Sequence, residues 1–202
     1  MDHPLVIQNL INQFSKLPGI GPRAAERHVF YLLKQTDEEL QNFSKYVLEL
    51  KNNITICQNC FAISENNPCL ICSDTKRNQT ILCIVSNSRD MLTIESTRQY
   101  GGLYFILGGI ISAVQNINPA QLNIKQLINK LQQGNIQEII IALNSTVDGE
   151  TTAMYLVKLL KSLKLNNIKI TRLAKGLPMG SDIEYADEIT LSNALKYRNQ
   201  VS

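Results

Sequence analysis

The chain has 202 residues, of which 44% are hydrophobic and 18% charged, a balance typical of a soluble globular protein with one large domain or two small ones. No apolar run approaches the roughly 20 residues that a membrane-spanning helix needs, and the N-terminal stretch MDHPLVIQNL lacks the basic start of a signal peptide, so we expect a cytoplasmic protein with no membrane partner. The formal net charge of +3 is too small to indicate a nucleic-acid-binding protein by itself. Any DNA site must therefore be local, or be assembled from several copies of the chain.

Residues 1–56 have the periodicity of helices. Pro4 suits a first helical turn, and the apolar face predicted for this helix comprises Leu5, Val6, Leu10, Ile11, Phe14 and Leu17. Thr36-Asp37-Glu38-Glu39 is a capping box that predicts the start of a third helix. We expect that helix to bury Leu40, Phe43, Val47, Leu48 and Leu50.

The stretch LPGIGPRAA, residues 17–25, lies between the first two predicted helices. Gly19 and Gly21 permit a tight turn, and the free N–H groups where the next helix begins are suited to binding phosphate. On that helix one side carries Arg23, Arg27, Tyr31 and Lys34, and the opposite side carries Ala25, Val29, Leu32 and Leu33. The pattern favours a DNA-phosphate site formed by Gly19, Gly21, Arg23, Arg27 and Lys34. The alternative is an ordinary helical hairpin with a solvated charged face.

Four cysteines in residues 57–72 form two CxxC pairs that are eight residues apart. The spacing allows Cys57, Cys60, Cys69 and Cys72 to direct four thiolates at one point, the ligand set of a tetrahedral zinc ion. Two disulfides or a redox-active CxxC are the alternatives, and a reducing cytoplasm disfavours the disulfides. Because protein fills all four positions, we expect one structural Zn²⁺ per chain, with no room for a nucleophilic water.

From residue 81 onward, apolar runs alternate with amphipathic helices. Strands are predicted at 81–86, 102–107, 138–143 and 169–174, with helices near 88–97, 119–133 and 149–164. This alternation is typical of a parallel sheet with helices on its faces, and so predicts an α/β domain over residues 80–175. A C-terminal segment, residues 176–202, follows it. Cys83 lies inside an apolar run and is expected to be a small core residue.

Several motifs resemble known modules in a characteristic order. LPGIGPRAAER (17–27) resembles a helix-hairpin-helix element, the four cysteines resemble a four-cysteine (C4-type) zinc finger, and IVSNSRDMLTIE (84–95) with ALNSTVDGE (142–150) resembles a Toprim domain. Together with TRLAKGLPMGSDIEYADEITL (171–191), this order resembles the RecR family of bacterial recombination mediators over essentially the whole chain.

The resemblance also indicates which chemistry is missing. Toprim enzymes hold magnesium with four carboxylates, and the matching positions here are Ser86, Asp90, Asn144 and Thr146. One acid among neutral groups is a poor ligand set for magnesium, so no catalytic residue is expected. Asp148 and Glu150 could regroup as ligands, but we expect both to act as helix-start acids.

The family resemblance implies a non-enzymatic, DNA-binding mediator of recombinational DNA repair. It implies a ring-shaped tetramer that acts with RecO and RecF partners to help load the recombinase at single-stranded gaps, associated with the nucleoid during repair. One alternative is a magnesium-dependent Toprim nuclease. Another is a structural adaptor whose hairpin contacts protein instead of DNA.

Overall fold

The computed structural model describes residues 3–163 and 168–198. The chain divides into two compact units, Met1–Ile54 and Thr55–Ser202. The first unit is helical and the second is built on a parallel sheet with helices, so the predicted α/β class with a helical N-terminal region is confirmed.

Three helices form the first unit: α1 (Leu5–Phe14), α2 (Pro22–Leu32) and α3 (Asp37–Glu49). Pro22 occupies the first turn of α2, where a backbone N–H has no helical partner to lose. At the start of α3, the Thr36 hydroxyl accepts from the Glu39 N–H at 3.3 Å, and the Glu39 carboxylate accepts from the Thr36 N–H at 3.0 Å. The predicted capping box is therefore confirmed.

The core of the first unit lies between α1 and α2. Ile11, Ala25 and Val29 are buried, and three partly buried side chains pack around them: Ile7, Phe14 and Ile20. Because Ala25 has only a methyl group, it allows the two helices to approach closely. The small size of this cluster leaves much apolar surface on the unit uncovered.

The predicted apolar faces of the first unit are only partly correct. On α1, Ile11 is buried, but four other predicted members of the face are exposed: Leu5, Val6, Leu10 and Leu17. Leu33, predicted to lie opposite the basic side chains, is also exposed. On α3 no side chain is buried: Leu40 is half-buried, and the exposed members are Phe43, Val47, Leu48 and Leu50. The periodicity of a sequence identifies an apolar stripe on a helix, but not whether another element packs against it. Here the small core between α1 and α2 does not extend over α3.

The second unit begins with a short hairpin that carries the cysteines. Strand β1 (Thr55–Ile56) pairs antiparallel with β2 (Ile63–Ser64), and the short helix α4 (Leu70–Ser73) follows. The first CxxC pair lies in the turn between the two strands, and the second pair lies at the start of α4. Each pair is therefore held by a short, locally hydrogen-bonded element.

Four parallel strands form the main sheet: β3 (Asn78–Val85), β4 (Gly102–Ile106), β5 (Glu138–Ala142) and β6 (Lys169–Arg172). Their spatial order is β4-β3-β5-β6. All three pairings are parallel, so the four predicted strands and their direction are confirmed. Since the carboxyl ends of parallel strands meet at one edge, the loops after β3, β5 and β6 are brought to the same side of the sheet.

Helices α5 (Ser88–Ser96), α6 (Ile124–Gln133) and α7 (Val147–Ser162) connect the strands. Alternate residues of β3 enter different apolar clusters: Leu82 and Ile84 pack with α6 and α7, whereas Cys83 and Val85 pack with α5 and the cysteine hairpin. The prediction that Cys83 is a core residue is confirmed by its burial.

The chain continues after β6 into a segment with little burial. Its last helix, α8 (Glu188–Lys196), begins after Asp187, whose carboxylate accepts from the Thr190 N–H at 2.9 Å. No side chain of α8 is buried. Across residues 3–163 and 168–198, no helix combines the length and hydropathy needed to cross a membrane.

Candidate nucleic-acid interface and metal centre

The basic side chains predicted to bind DNA are exposed in the first unit. Arg23, Arg27 and Lys34 are exposed, as is Tyr31 beside them. Within the described residues, none of these four side chains makes an ion pair or a side-chain hydrogen bond, whereas Glu26 on α2 bonds the His3 ring at 2.8 Å. Arg23 and Arg27 are one helical turn apart, a like-charge spacing that destabilises an isolated helix slightly. Lys34, predicted to lie on α2, is two residues beyond its end at Leu32. We refer to Arg23 and Arg27 together with Lys34 as the basic face of α2.

The turn before α2 presents backbone donors next to this basic face. Gly19 has φ +79°, a conformation that glycine adopts without strain, and the turn closes with the Ile20 N–H bonded to the Leu17 carbonyl at 3.1 Å. No side chain caps the N-terminus of α2. An uncapped helix start and a basic face on the same helix form an arrangement that attracts phosphate.

Gly21 has no structural need to be glycine. Its φ of −83° is open to any residue, and a Cβ atom built there meets nothing within 4 Å. Gly19 differs, because its positive φ strains other residues although the space around it is also open. Because glycine has no side chain, a ligand can approach the backbone N–H groups beside Gly21 closely.

The four cysteines form one compact group. Their Sγ atoms all lie within 4.8 Å of one another, with Cys57, Cys60 and Cys69 buried and Cys72 partly buried. A tetrahedron with metal–sulfur bonds of about 2.3 Å has edges of about 3.8 Å, and the Cys60 and Cys69 sulfurs are 3.6 Å apart. That separation is far beyond a disulfide bond, and all five cysteines are free thiols. The donor set and its spacing therefore fit one zinc ion.

Hydrogen bonds within the thiol group stabilise one negative charge. A hydrogen bond donated by Cys72 lowers the pKa of Cys60 to about 5. Donating that bond raises the pKa of Cys72, and burial raises that of Cys69. Because zinc binds thiolates, a divalent cation supplies the positive charge that the remaining thiols need in order to ionise. Cys83 stands apart from this group, with its pKa raised by burial to about 12.

The cysteine hairpin is built into the core of the second unit. Its buried cysteines belong to the same apolar cluster as Val85, Tyr104 and Ile106 of the main sheet. The Cys60 carbonyl accepts from the Ile106 N–H at 2.8 Å, and the rings of Phe61 and Phe105 lie 5.3 Å apart, edge to face. A metal held by the hairpin therefore stabilises the sheet as well as the hairpin.

The loop after β3 holds its one acid in a network of neutral groups. Ser86 is buried, and its hydroxyl donates to Asp90. The Asn87 amide also donates to Asp90, at 3.1 Å, and the Asn87 side-chain oxygen caps α5 by accepting from the N–H groups of Arg89 and Asp90. Asp90 lies in the first turn of α5, where a helix-start acid is expected.

The loop after β5 is likewise used to begin a helix. The Thr146 hydroxyl caps α7 by accepting from the Gly149 N–H at 3.2 Å. A Cβ atom on Gly149 would collide with the backbone of Asn144, so the glycine is required by close packing of the loop. Within the described parts of the chain, the four cysteines are the only group of three or more histidine, cysteine or acidic side chains arranged to hold a metal.

Glu150 has a role that the sequence interpretation missed. Its carboxylate accepts from the Arg172 guanidinium at 2.7 and 3.0 Å and from the Lys175 ammonium at 2.6 Å. These hydrogen bonds, that of Arg172 foremost, lower the pKa of Glu150 to about 2. The interpretation of Glu150 as only a helix-start acid is therefore incomplete. The predicted strand order could have indicated this pair. Arg172 ends a strand that runs parallel to the strand before α7, so both residues lie near the same edge of the sheet.

Known proteins show the same modules in the same order. Family models match as follows: RecR helix-hairpin-helix at residues 7–50, RecR four-cysteine zinc finger domain at 54–74, Toprim domain at 80–174, and RecR C-terminal at 176–199. The recombination protein RecR of Bifidobacterium animalis subsp. lactis is 49% identical over 195 residues, 96% of each chain. That of Bifidobacterium adolescentis is 45% identical over the same share of each chain. The family resemblance, the zinc finger and the zinc cofactor are thereby confirmed.

We predict that removing zinc loosens the main sheet as well as the hairpin. Structural zinc sites contribute on the order of 10 kcal/mol to folding, and this one shares its apolar cluster with β3 and β4. A Cys57→Ser variant should bind well under one zinc per chain and lose the near-ultraviolet signal of Tyr100 and Tyr104, whereas Cys83→Ser should retain one zinc. Folded parent protein that is freshly purified with far less than one zinc per chain would contradict this assignment.

Gly19→Ala and Gly21→Ala should separate folding from DNA binding. At Gly19 the positive φ penalises alanine by about 1–2 kcal/mol, so melting should fall. At Gly21, the N-cap of α2, alanine fits the backbone but is a poorer N-cap than glycine, so melting should fall less than at Gly19, while its methyl group obstructs phosphate approach and weakens DNA binding several-fold. Thermal melting and fluorescence anisotropy with labelled DNA measure the two effects. Unchanged DNA affinity in folded Gly21→Ala would exclude the turn from the contact.

Proposed function

We propose that this chain, which belongs to the RecR family of recombination proteins, is a non-enzymatic, DNA-binding mediator of recombinational DNA repair. A role in recombination and repair follows from membership in the family. The mediator activity and its mechanism are our proposal. The observation that carries it is the basic face of α2, which no described residue pairs, beside an uncapped helix start in a chain with one carboxylate, Asp90, at the four Toprim metal positions.

DNA contact is assigned to the glycine turn and the basic face of α2. The N–H groups around Gly19 and Gly21 would receive one phosphate, and Arg23, Arg27 and Lys34 would follow the neighbouring phosphates. These contacts read the backbone and not the bases, so binding should depend weakly on sequence and strongly on salt. With no tryptophan in the chain and 6% aromatic residues, a base-stacking platform is not expected.

Assembly into a ring-shaped tetramer would concentrate this weak charge. Several copies of the basic face around one opening produce a field that a chain of net charge +3 lacks. The exposed apolar stripe of α3 supports self-assembly, because exposed apolar patches of this kind mark protein contacts. In this proposal the ring acts with RecO and RecF, at the nucleoid during repair, to help load the recombinase at single-stranded gaps.

The four parts of the chain would have separate tasks. Residues 1–56 bind DNA, residues 57–72 hold zinc, residues 80–175 form the Toprim scaffold, and residues 176–202 form a C-terminal segment. The Toprim part presents a surface and does no chemistry. Two-metal phosphoryl transfer needs carboxylates around ions about 3.5–4 Å apart. In this chain the Asp90 carboxylate instead accepts hydrogen bonds from Ser86 and Asn87, and the Thr146 hydroxyl caps a helix.

Arg23→Ala combined with Arg27→Ala should weaken DNA binding without unfolding the protein, because both side chains are exposed and, among the described residues, unpaired. Each lost phosphate contact should reduce the salt slope of log affinity by about 0.9. The matched control is Lys45→Ala with Lys51→Ala, which removes the same charge from the same unit away from α2.

Titration of labelled single- and double-stranded DNA across a salt series gives this slope. If the arginine pair and the lysine pair reduce binding equally, the effect is one of net charge and the basic face is not the DNA site. If the arginine pair binds as the parent does, the hairpin contacts something other than DNA.

The protein should neither cut nor relax DNA in magnesium or manganese. The reason is the ligand set, since Asp90 is the one carboxylate among the four Toprim positions and its Oδ2 already accepts two hydrogen bonds. Supercoiled, nicked and single-stranded DNA serve as substrates, with Asp90→Ala/Asp148→Ala as the comparison. Metal-dependent cleavage that the parent shows and the double variant lacks would make the chain a Toprim nuclease.

A further inference from the structure

We propose that a groove between α7 and β6 binds an acidic segment of a partner protein, with one apolar side chain of that segment inserted between lysines. This surface, called here the α7 groove, has a volume of about 350 Å³ and is lined by Ala153, Met154, Val157, Lys158, Lys161 and Arg172. It lies entirely within the second unit. It needs neither the DNA contact nor the recombinase-loading role proposed above.

The floor of the α7 groove is apolar and accessible. Met154 is a large apolar side chain that is 70% exposed, although its neighbour Ala153 on α7 is buried, and Val157 one turn further on is half-buried. Residues 154, 157, 158 and 161 recur at helical spacing, so their side chains line one face of α7. Methionine adapts its shape to a variety of apolar partners, which suits a pocket that receives a single inserted side chain.

The rim of the α7 groove is positively charged and largely uncompensated. Lys158 and Lys161 are exposed, and in residues 3–163 and 168–198 neither makes an ion pair or a side-chain hydrogen bond. At the other end Arg172 and Lys175 share the single carboxylate of Glu150. Asp187 lies with Glu150 and Lys175 along the adjoining pocket, so the charges at this end balance, and the net positive charge of the rim comes from Lys158 and Lys161. None of the described residues that line the groove is acidic, so an acidic occupant is electrostatically complementary to it.

Two features favour a protein segment over nucleic acid. A phosphate backbone gains nothing from the exposed Met154 floor, whereas a peptide can fill it with an apolar side chain while its carboxylates contact the rim. In addition, β6 is an edge strand of the sheet, since among the described strands it pairs only with β5. Its outer backbone groups can pair with an extended peptide, a common mode of peptide recognition.

The ion cluster also keeps one rim residue in place. Both terminal nitrogens of Arg172 bond the Glu150 carboxylate, which fixes the guanidinium at the edge of the groove. A cation that is already positioned loses little side-chain freedom when a ligand binds. Lys158 and Lys161 supply the mobile charges, and their long side chains can follow carboxylates at several positions.

Methionine methyl groups provide a local test in the full chain. The probe is a short acetylated peptide in which one phenylalanine is flanked on both sides by aspartates. In protein carrying ¹³C-methyl methionine, with Met154→Leu used for assignment, the Met154 signal should shift saturably. The signals of buried Met91 and fully exposed Met179 should stay in place. Replacing the phenylalanine by alanine, or the aspartates by asparagines, should abolish the shift.

Lys158→Glu with Lys161→Glu should weaken peptide binding about tenfold, because two exposed charge pairs are reversed. The matched control is Lys76→Glu with Lys125→Glu, the same charge change at exposed positions of the same unit, which should bind as the parent does. Two results would overturn the proposal: no saturable Met154 shift with the peptide, or a Met154 shift that a DNA oligonucleotide produces at lower concentration than the peptide. DNA binding through α2 can fail or succeed independently of both results.

Discussion

The arrangement of four buried thiols around one point is the constraint on which the second unit depends. Buried cysteines at this separation gain little from one another as neutral thiols, but as thiolates they repel unless a cation joins them. Because the Cys60 carbonyl accepts a hydrogen bond from the end of β4 and the hairpin packs on one face of the sheet, the metal supports β3 and β4. The zinc finger is thus part of the Toprim core in this chain, although it occupies a separate stretch of sequence.

The same sheet explains how the Toprim frame can persist without most of its metal-binding carboxylates. Parallel strands bring the loops after β3 and β5 to one edge, where Toprim enzymes hold metal. In this chain those loops instead begin helices: Asn87 caps α5 and Thr146 caps α7. Gly149 is fixed by its packing against Asn144, so the loop retains its shape for structural reasons. The geometry is maintained by capping and packing, neither of which requires carboxylates.

The charged side chains of the two units also differ in whether they are paired. Several acids of the second unit are paired with cations, as Glu150 is with Arg172 and Lys175, and Glu95 is with Arg77 while it also accepts from Tyr104. The basic face of α2 is not engaged by any described residue. Cations that pair with no described residue are available to bind a polyanion. These unpaired arginines are therefore better evidence for DNA binding than the net charge is.

Much of this architecture could be predicted from the sequence. The capping box at Thr36, the two CxxC pairs and the alternating runs each have a local or strictly periodic signature. The failures concern non-local information. The apolar stripe of α3 reads as a core face, but periodicity does not show whether the chain itself covers it. Glu150 and Arg172 are 22 positions apart, and only the strand order brings them together. DNA contact by the glycine turn stays a prediction, because it depends on a ligand and not on packing within the chain.

The most direct measurement of the central claim is the rate of recombinase filament formation on gapped DNA coated with single-strand-binding protein, in the presence of RecO and RecF. If the chain is a mediator without catalysis, the parent accelerates loading and Asp90→Ala/Asp148→Ala accelerates it equally. The Arg23→Ala/Arg27→Ala variant should lose the acceleration while remaining folded and zinc-bound. Loading that survives loss of the two arginines but disappears with the two acids would contradict the account and assign the activity to the Toprim loops.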